Sequence, residues 1–259
     1  MFGAGRALLL QLAHPHVAAG VDEHSDFQNN PFKRLQGTLE AVYTMVYGQA
    51  ELADGVGRRV RWIHDFVTGP AYRANDPENL LWVHATLLDS AVSCYERLVA
   101  PLTDDERETY YQEMVEVAER FGCPRDRQPA TWSDFRGYWD ATVAAMEVTD
   151  AGRRLARDVI EPTHLPLNLH CVLGWPLSVQ RLVSIGTLPP VLRERFGYDW
   201  TDDDERRLRA VHARARRIFR LVPKAVRVGP VHLNGRILLR QARSHVAAFD
   251  EKVAVSASA

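Results

Sequence analysis

Helix-start signals recur along the whole chain, and no stretch between them sustains the two-residue alternation of a strand. Thr103-Asp104-Asp105-Glu106 is a capping box, in which the threonine side chain and the glutamate three residues on satisfy each other's backbone N–H groups. Thr131-Trp132-Ser133-Asp134 starts another helix, Thr201-Asp202-Asp203-Asp204 caps a long arginine-rich one, and Thr149-Asp150 opens a further helix. Asn30 and Asp76 each precede a proline, the residue preorganised for the first helical position. Alternating runs such as Val226-Arg227-Val228 are too short for a ladder, and Pro223 and Pro230 hem that one in. The pattern predicts an all-α chain: a single globular helical domain over residues 1–250, with residues 251–259 as a flexible tail.

The expected helices run over residues 5–13, then from Pro15, 31–47, 49–68, 77–99, 104–122, 132–148, 150–160, 202–221 and 233–249. Pro162, Pro166, Pro176, Pro189 and Pro190 are expected to break the intervening region into short helices. Leu35, Leu39, Val42 and Val46 give the third helix an apolar stripe of helical period. The opening run from Gly5 to Ala13 is too short for a membrane span and reads as a buried helix.

A chain of 259 residues that is 46% hydrophobic has material for a sizeable core. A net charge of −1 gives no global basic excess, so nucleic acid is not an expected partner. The Arg206–Arg220 run, interleaved with Leu208, Val211, Ile218 and Phe219, reads as an amphipathic helix. Cys94, Cys123 and Cys171 are odd in number and widely spaced, which fits a reducing compartment better than a disulfide framework or a zinc site. No membrane span and no clean export signal are found, and a cytoplasmic location is expected.

The residues with chemistry to offer gather in the 31–68 segment. Arg34 and Thr38 are four apart on one helix, and Arg61 and His64 three apart on the next, so each pair shares a face. A cation, a hydroxyl and an imidazole on neighbouring helices suit an anionic cofactor such as haem, for which a neutral imidazole on an apolar wall is a proximal ligand. The bland alternatives are a core histidine bonded to a carbonyl and a solvated arginine. His84, in the apolar run Leu80-Leu81-Trp82-Val83-His84, is expected to be buried and satisfied either by a cofactor or by a neighbouring helix. His14-Pro15-His16, with His24, is the only other cluster that could hold a metal, and it lacks a preceding strand.

Taken in order, GAGRALLLQLAHPHVAAGVDEHSDF, PFKRLQGT, RVRWIHDFVTG, DPENLLWVHATLLDS and LPPVLRERFGYDW…RIFRLVPKAVR resemble the oxygenase MpaB/latex clearing protein (rubber oxygenase) catalytic-domain family. The resemblance implies a globin-like helical core and a b-type haem with His64 on the iron. It places Arg34 and Thr38 on the oxygen side, with His84 as a supporting pocket residue, while Arg61 is expected to bind the cofactor from its place beside His64. It implies dioxygen and a small hydrophobic, unsaturated, isoprenoid-like substrate as reaction partners. Gly37 stands where rubber-cleaving relatives carry a lysine, which leaves the second axial position open. A haem-carrying binding or sensing protein without turnover is the competing expectation.

Overall fold

The computed structural model describes residues 2–24, 31–161 and 167–257. Twelve α-helices lie among the described residues: α1 (Phe2–Ala13), α2 (Pro15–His24), α3 (Pro31–Tyr47), α4 (Ala50–His64), α5 (Pro77–Leu98), α6 (Asp104–Phe121), α7 (Trp132–Ala145), α8 (Asp150–Ile160), α9 (Leu167–Gly186), α10 (Pro190–Phe196), α11 (Asp202–Leu221) and α12 (Lys224–Ala257). The strands described are β1 (Thr68–Gly69) and β2 (Tyr72–Arg73), a two-rung antiparallel hairpin with Thr68 opposite Arg73. The chain is an all-α single domain.

The local signals translate directly into helix ends. Thr103, Thr131 and Thr201 each accept from the N3 backbone N–H while the N3 carboxylate takes the cap N–H, so all three capping boxes form. Gly122 closes α6 at φ 102°, a left-handed conformation that glycine enters without a Cβ penalty.

The core is built around α1. Leu9, Leu10 and Ala13 are fully buried, and α5, α8 and α9 wrap the helix that carries them. The Trp82 indole N–H donates to the Leu10 carbonyl at 3.1 Å, and the ring stacks on Trp139 with centroids 5.4 Å apart. Arg6 is also inside. It donates to Asp89 (2.6 Å), to the Ser90 hydroxyl and to the Thr187 carbonyl (each 2.8 Å), while Arg136 reaches the other Asp89 oxygen at 2.7 Å. Burial lowers the pKa of Arg6, and the Asp89 carboxylate works against that shift. A smaller core of Met45, Ala53, Val56 and Ala242 joins α3, α4 and α12.

Several boundaries differ from the sequence reading. α4 ends at His64 rather than at Thr68, because the chain turns there into the β1–β2 hairpin. α9 is one helix that contains Pro176 rather than a series of short ones; Pro162 and Pro166 lie outside the described residues. α12 begins well before Leu233 and continues to Ala257, through most of the expected tail. Packing on α4 carries it there: Phe249 meets Trp62, Asp250 pairs with Arg58 at 3.2 Å, and the Lys252 ammonium sits 4.8 Å from the Trp62 ring centre.

Candidate functional site

Only Gly48 and Gln49 separate α3 from α4, and the two helices fold back on each other and pack. At about 1.5 Å per residue, His64 stands about 21 Å from that turn along α4, and Arg34 about 20 Å from it along α3. The backbones of Arg34 and His64 are therefore level, with Thr38 about one turn nearer the connection. The positive end of the α3 dipole lies beside the negative end of that of α4. The Arg34 side chain lies outside the described residues.

The face of α3 that enters the core is not its apolar stripe. Glu40, Thr44 and Met45 are buried, Glu40 to 2% exposure. The Glu40 carboxylate accepts from His245 at 2.9 Å and from Arg59 at 3.5 Å. Of the apolar stripe, Leu39 is 38% and Val46 45% exposed, Val42 is half-buried, and the Leu35 side chain lies outside the described residues. By helical period Arg34 and Thr38 fall in line with Ala41 and Met45, about a quarter turn round the helix from that stripe. Thr38 is exposed, and a Cβ added at Gly37, on the opposite side of the helix from Val46, would meet nothing within 4 Å, so α3 is open around these two residues. Ile63 and Phe66, either side of His64, are exposed as well.

His64 occupies the last turn of α4 and is partly buried. The backbone around it is pinned. Asn75 donates to the Arg61 carbonyl (2.9 Å) and to Asp65 (2.7 Å), and the Val67 N–H donates to the His64 carbonyl (3.0 Å). The hairpin that follows is tied to α2 through Tyr72 donating to Glu23 (2.7 Å) and a His24 ring nitrogen bonded to the Thr68 carbonyl (3.0 Å).

Arg61 is directed elsewhere. Its guanidinium donates to the Arg120 carbonyl at the end of α6, and its stem passes over Gly122. With Asp54, Arg58, Glu116, Glu119 and Arg120 it lines a charged surface cleft. The structure thus gives Arg61 an α4–α6 fastening role, which its position three residues before His64 does not reveal.

His84 is buried, and Nε2 has no hydrogen-bond partner among the described residues. Burial drives its pKa down to about 4, so the ring is neutral at pH 7. α5 packs chiefly against α1, α6 and α11, which sets His84 in the main core. An unpartnered neutral imidazole is chemically suited to a cofactor contact or a metal bond.

The His14, His16 and His24 group does not assemble. His14 and His16 have ring centroids 5.3 Å apart, but His24 closes the far end of α2, about 12 Å along the axis from His16. Among the described residues no group of three or more His, Cys, Asp or Glu side chains could hold a metal ion.

The chain matches the family model described as ER-bound oxygenase mpaB/B'/Rubber oxygenase, catalytic domain, over residues 1–217. It belongs to that family. The mpaB/rubber oxygenase match takes in α1 to α10 and nearly all of α11, and with them the α3–α4 hairpin. Two relatives are 28% identical over 225 residues, covering 83% of this chain and 87% of their own length: uncharacterized protein Rv2237 of Mycobacterium tuberculosis and uncharacterized protein Mb2261 of Mycobacterium bovis. No solved structure matches. Membership of the mpaB/rubber oxygenase family makes the domain an oxygenase catalytic domain. No helix among the described residues is long and apolar enough to cross a membrane.

Proposed function

We propose that this chain is a haem b-dependent oxygenase that uses dioxygen to oxidise or cleave an unsaturated hydrophobic substrate of isoprenoid or lipid type. The observation that carries the reading is the α3–α4 hairpin. It sets the start of α3, which carries Arg34 and Thr38, level with His64 at the end of α4, beside the exposed Leu39 and Ile63. A flat apolar cofactor with anionic edges answers each part of that surface.

The residues present fit such a group. His64 would hold the metal, at a helix end whose dipole favours positive charge, on a backbone fixed by Asn75 and the hairpin. Arg34, in the first turn of α3, offers a rigid fork of donors and Thr38 a hydroxyl, both suited to orienting an oxygen-bearing ligand. Leu39 and Val42 offer an apolar surface against which a hydrocarbon chain can lie. Arg61 acts by fixing α4 against α6 rather than by touching the cofactor, and His84 serves as a neutral buried imidazole on α5. Haem, when bound, supplies the iron at which dioxygen is activated.

Haem titration and dioxygen uptake test this together. His64→Ala is expected to lose the cofactor absorption band while keeping its helical circular dichroism. Arg34→Ala and Thr38→Ala are expected to keep the band and to lose uptake by about 10²-fold or more. Wild-type protein that takes up no haem, or a His64→Ala variant with an unchanged spectrum, rejects the proposal. Haem uptake with no dioxygen consumption across a panel of terpenoids would mark a binding protein.

A further inference from the structure

From Arg206 to Phe249 the chain carries twelve Arg or Lys residues and no Asp or Glu, within a molecule of net charge −1. Its charge is thus sharply segregated, with the basic part concentrated on α11 and α12. On α11, Arg206, Arg207 and Arg209 pair with the first-turn acids, and Arg216 donates to the carbonyls of Glu96 and Arg97. Arg214, Arg217, Arg220, Arg236, Arg240 and Arg243 are exposed and make no ion pair among the described residues.

Large apolar side chains stand among these arginines. Arg214, Arg217, Ile218 and Leu221 share one face of α11, and Val226, Leu233, Ile237 and Arg240 share one face of α12. Ile218, Leu221, Val226, Leu233 and Ile237 are all exposed, Leu221 to 73% and Leu233 to 66%. The two stripes run up to the Val222–Pro223 link from either side. Single exposed aliphatics are ordinary on a solvated face, but five in two stripes that converge on one link, among those arginines, mark an interaction surface.

We propose that the end of α11 and the first half of α12 form a docking surface for a membrane bearing anionic lipid headgroups. The arginines supply charge complementarity to the lipid phosphates and carboxylates, and the aliphatic side chains enter the headgroup–acyl boundary. The aliphatic stripes favour a bilayer over nucleic acid, whose backbone offers nothing for Leu221 or Leu233 to enter. This is attachment in the interface plane and needs no spanning helix. It does not depend on the cofactor.

Vesicle co-sedimentation tests it. At about 0.1 M salt, where charges act over ~10 Å, the protein is expected to sediment with phosphatidylcholine–phosphatidylserine vesicles and to stay in solution with phosphatidylcholine alone. Arg214→Gln, Arg217→Gln and Arg220→Gln together are expected to weaken binding about a hundredfold, at about fivefold per cation. Leu221→Ser with Leu233→Ser is expected to weaken it at least about tenfold, and the exposure of both positions lets these variants fold, which circular dichroism verifies. Absence of wild-type binding to the mixed vesicles overturns the proposal. So does full retention of binding in the leucine variant with equal capture of duplex DNA, which would mark a general polyanion surface. A concentration-dependent dimer lost in the leucine variant, with no vesicle binding, overturns it in favour of self-association.

Discussion

His84 shows what a single buried ring does to the whole molecule. Its pKa falls from 6.5 to about 4 because the apolar interior penalises the imidazolium. Between those values the unfolded chain binds a proton that the folded chain refuses, so stability rises with pH across that window and is lost as pH falls through it. His84→Leu, measured by urea unfolding of protein prepared without cofactor, is expected to narrow the stability difference between pH 7 and pH 5 by about 2 kcal/mol. An unchanged difference would mean that His84 does not stay neutral inside. Asp89 makes the complementary case. It faces two arginines, of which Arg6 is fully enclosed. Asp89→Asn is expected to cost about 3–5 kcal/mol in thermal or denaturant unfolding by stranding that guanidinium, and Arg6→Met added to Asp89→Leu to recover part of the loss.

At the scale of elements, α3 decides the account. Its helical period was legible in Leu35, Leu39, Val42 and Val46, but not which side faces the core. That depends on groups some two hundred residues away: His245 on Glu40, Gln241 on Gln36, and Gly235 beneath the Tyr43 ring. Capping boxes were legible because their partners lie three residues apart. The bond that Arg61 makes was not legible for the same reason, since Arg120 and Gly122 meet it only in the folded chain. If the stripe is free, Val46→Ser should change unfolding stability by no more than ~0.5 kcal/mol, whereas Met45→Ala, on the buried side, should cost about 2–5 kcal/mol. Gly57→Ala should destabilise despite the better helix propensity of alanine, because the new methyl meets the Arg120 carbonyl and forces α4 off α6.

At the scale of the whole molecule, the all-α class and the meeting of α3 with the end of α4 followed from the sequence, since a two-residue connection leaves few alternatives. The segregation of charge onto α11 and α12 is equally plain in the sequence, but its meaning needed the exposure of Leu221 and Leu233. The molecule thus has a core centred on α1, a proposed cofactor site on α3 and α4, and a basic apolar face at its C-terminal end. Amide hydrogen exchange with and without added haem tests the placement of the cofactor most directly. The account predicts slowed exchange along α3 and through the last turn of α4 around His64, with α6 and α7 unchanged. Slowing confined to other helices, or none at all in either α3 or α4, would contradict it.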